Sequence, residues 1–226
     1  MENKYCLPII QTSAKQVQSI IAKHESSYGY FEVWLDYIQD LDEDFLRELI
    51  VGLQGRLVVV FRRQKLEPIA MGRVVRLKML RVLDNTPVLV DLDLVSQRYE
   101  LEYIRSRQMK IQTIASYHNY EMTPTTTQLR RIARGMVRFK PAISKIATYC
   151  HGEADAIRLL ELQGWLKSER RRHIILGMGS HGVVTRIFGM LWGNVLAFVP
   201  EDKQTQSADG QLTRKQMEQI MAVLKG

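Results

Sequence analysis

Short apolar runs and amphipathic runs alternate eight times along the 226 residues, and this rhythm constrains the fold more than any other feature. The apolar runs fall at 5–10, 31–38, 57–61, 87–94, 111–116, 143–149, 173–176 and 195–199. They are short, rich in β-branched residues and bounded by turn formers, as buried strands are. Helical spacing follows each of them, over 14–24, 43–53, 70–82, 97–107, 125–137, 153–166, 183–191 and 214–224. Ser13 and Asp42 stand where N-caps of the first two helices belong. A strand followed by a helix, repeated eight times, predicts a single (β/α)8 TIM barrel, a parallel eight-stranded barrel forming one domain over 1–226. A doubly wound open sheet is the alternative. Polar residues, however, lie at strand C-terminal ends all along the chain, from Glu32 to Ser207. A barrel gathers such ends around one mouth, whereas an open sheet strings them along an edge.

Several classes are disfavoured by composition. No apolar run approaches the ~18 residues of a membrane span. The first five residues lack a basic, apolar leader, so a cytoplasmic location is expected. Cys6 and Cys150 are the two cysteines, and buried free thiols are the expectation. The net charge of +8 concentrates at Arg130, Arg131, Arg134 and Arg138, and again at Arg170, Arg171 and Arg172. Without a nucleic-acid motif or an aromatic platform, these read as solvated faces rather than a nucleic-acid surface. Neither C-x-x-C nor H-E-x-x-H spacing occurs, so no metal site is expected.

The chemistry concentrates on two consecutive strands. Lys145 interrupts the apolar run 143–149, and an ammonium in a buried strand is paired, snorkelling or functional. Desolvation lowers a lysine pKa and frees an amine able to attack a carbonyl. His118 ends the preceding strand-like run, just before Thr123 and Pro124. Other strand ends supply Glu32 and Asp36, Arg62 and Arg63 with Glu67 behind them, and Asp91 and Asp93, which share a face by the period of two. Arg186 follows in the helix after the seventh strand. Carboxylates beside a lysine and a histidine, rimmed by arginines, suit amine chemistry on an anionic carbonyl compound.

Four segments then carry a specific resemblance: Ser116-Tyr-His-Asn-Tyr120 with Thr123-Pro124; Lys145-Ile-Ala147; Val184-Thr-Arg-Ile187; and Ser207-Ala-Asp-Gly-Gln211. In this order and in equivalent strand–helix units, the chain resembles the type I 3-dehydroquinate dehydratases over nearly its whole length. The resemblance implies a shikimate-pathway lyase that converts 3-dehydroquinate to 3-dehydroshikimate, needs no cofactor and associates as a homodimer. It implies that Lys145 forms a Schiff base with the ketone and that His118 is the general acid and base. It further implies that Glu32, Arg62, Arg186, Ser207 and Gln211 bind substrate, with Asp93 orienting the histidine and Glu67 supporting. Residues 201–210 would then form a mobile lid over the bound substrate.

The chain departs from that pattern at three places. Trp34 stands where the family usually carries arginine; Leu66 occupies the register of the loop glutamate, so Glu67 fits by a one-residue slip or by matching Arg63; and Asp93 replaces glutamate. These departures leave room for a non-catalytic relative, and a class I aldolase-like enzyme would share the Schiff-base lysine. Gly177, Gly179 and Gly182 form a G-x-G-x-x-G pattern. Too little chain follows to complete a dinucleotide-binding half, so a close-approach loop whose helix N-terminus faces the anionic side of the substrate is expected.

Overall fold

A computed structural model describes residues 4–225. The expectations about an N-terminal leader and a 1–226 domain touch residues 1–3 and 226, which lie outside that range. Among the described residues, eight strands alternate with eight α-helices. The strands are β1 (Tyr5–Ile9), β2 (Tyr30–Trp34), β3 (Leu57–Val60), β4 (Leu89–Asp93), β5 (Gln112–Asn119), β6 (Ile143–Tyr149), β7 (His173–Met178) and β8 (Ala197–Phe198). The helices are α1 (Ala14–His24), α2 (Glu43–Leu53), α3 (Arg73–Val82), α4 (Arg98–Ser106), α5 (Thr126–Met136), α6 (Glu153–Ser168), α7 (Val183–Trp192) and α8 (Arg214–Lys225). The anticipated caps are in place: Ser13 accepts from the Gln16 N–H and Asp42 from the Phe45 N–H.

All strand pairs are parallel, in the order β7-β6-β5-β4-β3-β2-β1-β8. The two ends of the sheet meet at a parallel bridge between His173 and Asn194. There the Asn194 side chain substitutes for strand backbone, accepting from the Ile175 N–H at 2.9 Å and donating to the Ile175 carbonyl at 3.0 Å. This seam curls the sheet into the TIM-barrel-like (β/α)8 arrangement that the rhythm predicts.

Pleating sorts the side chains. Outside the sheet, Val59, Val90 and Leu92 pack with Leu46, Leu49, Leu80 and Leu83, while Ile146 and Ile175 pack with Leu129, Leu159 and Leu162. Inside, Cys6, Val58, Leu89, Ile114, Ile143, Ile174, Leu196 and Phe198 form an apolar plug. Two residues further along the same faces, the inward positions become polar. Leu89 gives way to Asp91 and Asp93, Ile114 to Ser116 and His118, and Ile143 to Lys145. The plug supports a charged layer at the C-terminal end of the strands, where this fold carries its sites. Both cysteines are free and buried, as expected.

Of the expected boundaries that move, three bear on the barrel mouth. The second strand ends at Trp34, and a 3-10 turn at Leu35–Tyr37 replaces the extension to 38. Asp36 therefore leaves the barrel mouth and accepts from the Ala70 and Met71 N–H groups at 3.0 and 2.6 Å, tying down the loop before α3. The fifth strand runs on to Asn119, so His118 sits within a strand rather than beyond one. The eighth strand is only Ala197–Phe198, since just those residues pair with β1.

The glycine pattern at the end of β7 brings two stretches of the chain's own backbone together. A Cβ on Gly182 would lie 2.3 Å from the Gly177 carbonyl carbon, and one on Gly177 2.8 Å from Cys150 Sγ. Gly179, at φ +77°, faces the Tyr149 ring. The space beside these glycines is thus filled by the protein itself. Gly182→Ala is expected to destabilise the fold by about 2–3 kcal/mol, because two backbone segments must separate. Denaturant unfolding of the variant checks this.

Candidate active site

Lys145 is the centre of the charged layer. Its Nζ donates to Asp91 Oδ2 at 2.7 Å, lies 3.7 Å from Glu32 Oε1 and stands 4.2 Å from the centroid of the Phe198 ring. The other Asp91 oxygen accepts from Arg62 Nη1 at 2.7 Å and from Ser116 Oγ at 2.6 Å. Asp91 is fully buried between two cations. Burial by itself would raise its pKa, but Arg62 and Lys145 outweigh burial and hold the carboxyl far below the usual range. Burial likewise opposes the charge on Arg62, and Asp91 and Glu32 overcome it, so the guanidinium pKa is raised.

His118 is oriented from behind by Asp93. Its Nδ1 lies 3.0 Å from Asp93 Oδ2, while Asp93 Oδ1 accepts from the Val95 and Ser96 N–H groups and from Ser96 Oγ. Burial and, after it, Arg62 lower the imidazole pKa, the Asp93 hydrogen bond opposes them, and the net value is about 4. Asp93 itself is raised by burial but lowered on balance by its bond to His118. A neutral imidazole facing an ionised carboxylate donates through Nδ1, which leaves Nε2 as the lone-pair nitrogen. Asp93 therefore holds the imidazole despite lacking the extra methylene of glutamate.

Trp34, where the resemblance leads one to expect an arginine, pairs with a carboxylate and a guanidinium of the chain itself. Its Nε1–H donates to Glu32 Oε2 at 2.8 Å, and the Arg62 guanidinium lies 5.2 Å from its ring centroid. Glu32 Oε1 is buried and, among the described residues, has no hydrogen-bond partner. Trp34→Phe keeps most of the ring but strips Glu32 Oε2 of its donor. We expect a loss of about 1–3 kcal/mol in unfolding free energy. In a Glu32→Gln background the same change should cost clearly less, which a double-mutant cycle measures.

Arg186 projects from α7 and donates to the Asp209 carbonyl at 3.2 Å, while its buried Nε has no hydrogen-bond partner among the described residues. Burial pulls its pKa down to about 10, with Cys150 and Asp209 partly opposing, so it stays charged at neutral pH. Among the described residues, no carboxylate oxygen lies within ion-pair distance of it. A buried guanidinium in that state favours an anionic group from a ligand.

The chain after β8 covers these groups. Gln211 Nε2 donates to Ser207 Oγ at 2.9 Å, and Gln211 Oε1 accepts from the Ser207 N–H at 2.8 Å. Gln64 Nε2 reaches across from the loop after β3 to the Ser207 carbonyl at 3.2 Å. Beneath this cover lies one cavity lined by Lys145, His118, Glu32, Arg62, Arg186, Ser207 and Gln211. Its free volume is about 30 Å³, whereas small-molecule sites occupy about 300–1,000 Å³. Outside it opens a vestibule of about 570 Å³ lined by Tyr120, Tyr149, Lys65, Glu67 and Ser207.

Seven of the nine residues singled out in the sequence thus face one space. Asp93 stands behind His118, and Glu67 lies apart, in the vestibule, largely exposed and 3.7 Å from Arg63. Of the paired arginines, Arg62 enters the cavity, while Arg63 turns to Asp36. Sequence reasoning gave no individual role to Asp91, Ser116 or Tyr120. The period of two already placed Asp91 with Asp93. What it lacked was strand register: Ser116 pairs with Lys145, and Asp91 lies across from Ile114.

Comparison with known proteins covers the whole chain. The family model for type I 3-dehydroquinase matches residues 5–226. The chain is 26% identical over 226 residues to the 3-dehydroquinate dehydratase of Methanothermobacter thermautotrophicus, covering 98% of this chain and 99% of that one. It is 28% identical over 231 residues to that of Methanococcus maripaludis, covering 97% and 99%. Among solved structures, 3-dehydroquinate dehydratase from Geobacillus kaustophilus superposes with a TM-score of 0.83 at 19% identity, covering 98% of this chain and 91% of that one. The type I enzyme from Clostridium difficile gives 0.81 at 21% identity, with coverage of 98% and 91%.

Proposed function

This chain belongs to the type I 3-dehydroquinase family, and from that premise we propose that it dehydrates 3-dehydroquinate to 3-dehydroshikimate through a Schiff base on Lys145. The observation that carries this reading is the convergence of Lys145, His118 and Arg186, which has no carboxylate partner among the described residues, on one covered cavity.

Each residue has a step. Arg186 takes the substrate carboxylate, and Glu32 Oε1 accepts from a substrate hydroxyl. Lys145 Nζ, having given up a proton, attacks the ketone carbon, and the carbinolamine oxygen takes up a proton in its place and leaves as water to give the iminium. The iminium withdraws electrons from the adjacent carbon, and His118 Nε2 takes the proton from that carbon. The resulting enamine expels the β-hydroxyl, which leaves as water with the proton from His118. Hydrolysis of the product iminium restores Lys145. Asp91 stays ionised throughout and aims Nζ, while Asp93 aims His118.

A free volume of about 30 Å³ is far below the ~300–1,000 Å³ of small-molecule sites, so in this reading residues 201–210 lift to admit a ring-sized substrate. Gln211→Ala removes the bonds that seat Ser207 and should raise KM and lower kcat together, as steady-state kinetics reads. The test of the function is direct: incubation with 3-dehydroquinate should produce the ultraviolet absorbance of a conjugated enone. No absorbance change, with substrate unconsumed, overturns the reading. Consumption of a sugar phosphate by carbon–carbon cleavage instead would favour the aldolase-like alternative.

A further inference from the structure

The arginine cluster that the sequence left as a solvated face divides in two. Arg130 and Arg134, four apart on α5, stand over the Trp165 ring, each with its guanidinium carbon 5.5 Å from the centroid. Arg131, and Arg138 in the 3-10 turn that follows, lie seven apart and point elsewhere. With Arg98 of α4 they rim a cleft of about 390 Å³ between α4 and α5. Its floor is apolar, made by Leu94, Tyr117 and Phe139 among others. None of its lining residues lines the Lys145 cavity.

We propose that this cleft binds a small organic monoanion with a flat apolar body, the chemical class of the aromatic carboxylates. The volume lies in the range of small-molecule sites. An aromatic ring suits the apolar floor, and a carboxylate suits guanidinium donors, which bind it bidentately. Arg138 is paired with Glu102 at 2.5 Å. Arg98 and Arg131 have no carboxylate oxygen within ion-pair distance among the described residues. The lining contains no aspartate or glutamate. An α-ammonium would therefore go unpaired, which selects a monoanion over a zwitterionic amino acid. A bare inorganic anion would leave the floor uncovered.

The floor also touches the chemistry of the barrel. Leu94 follows Asp93, its N–H donating to the Ser116 carbonyl at 2.6 Å, and Tyr117 precedes His118. Binding itself does not depend on the proposed dehydratase activity, so the test uses binding alone. The full chain is titrated calorimetrically with 2-naphthoate, 2-naphthylmethanol, phenylalanine and inorganic phosphate. Naphthoate should bind at one site, with the other three weaker by roughly tenfold or more. Arg131→Glu should weaken naphthoate by roughly tenfold or more. Arg134→Glu, the same charge change on the Trp165 side, should leave it unaltered. Arg186→Lys, in the barrel mouth, should also leave it unaltered. The proposal is overturned if naphthoate does not bind, if the neutral alcohol binds equally well, or if only Arg186→Lys weakens binding. It is also overturned if light scattering finds a dimer that Arg131→Glu dissociates, which would make the cleft an interface between copies.

Discussion

Lys145→Ala is expected to reduce turnover of 3-dehydroquinate by roughly 10⁴-fold or more, since the covalent route is lost with the amine. Borohydride added with substrate should trap an adduct on the unmodified protein and none on the variant, as read by intact mass. An adduct on another lysine would refute the assignment. The charged layer should survive the substitution. Asp91 keeps Arg62 and Ser116, and Glu32 Oε2 keeps Trp34. Lys145→Met, which nearly conserves volume, separates lost chemistry from lost packing: it should be as inactive as alanine while unfolding closer to the parent.

His118→Ala should slow turnover by on the order of 10²–10⁴-fold while leaving the borohydride adduct at Lys145 obtainable. That split places His118 in proton transfer and not in imine formation. The lowered pKa adds a pH signature. With the imidazole at about 4, the neutral base persists well below the usual histidine range. The acid limb of kcat/KM due to this group should therefore lie near pH 4 and not near 6.5. Stability carries the same signature. Between about pH 6.5 and 4 the unfolded chain binds a proton that folded His118 does not, so stability falls as pH falls through that window. The contribution is fully present above 6.5 and is on the order of 3 kcal/mol. Asp91 and Asp93, both held below their ordinary pKa, extend the loss to still lower pH. His118→Gln should flatten the pH dependence of unfolding between 6.5 and 4, and an unchanged slope there would refute the shift.

Trp34 shows where a departure from the family pattern misleads. As a residue type it cannot clamp a carboxylate as arginine does. Its indole N–H nevertheless fixes Glu32, and its ring meets the Arg62 guanidinium. The sequence showed the substitution but not the partner it would find. Asp36 misled in the other direction. It reads as a strand-end carboxylate, yet a 3-10 turn begins immediately after Trp34 and carries Asp36 away to two backbone N–H groups.

The sequence by itself determined the alternation of strands and helices, and with it the barrel, because periodicity of apolar residues is a local property read along the chain. It also determined which residue types meet at the mouth, since every strand of a barrel ends there. Tertiary structure decided what the chain could not express locally. The register of β4 on β5 and of β5 on β6 brings Asp91 and Ser116 to Lys145. The Asn194 side chain closes the seam, a task that no strand propensity signals. The turn of α5 divides one arginine cluster between an aromatic ring and an open cleft. Register, seam and helix facing are each set by contacts between segments distant in sequence. The local pattern of any one segment is compatible with several such arrangements, and only packing the segments together selects one.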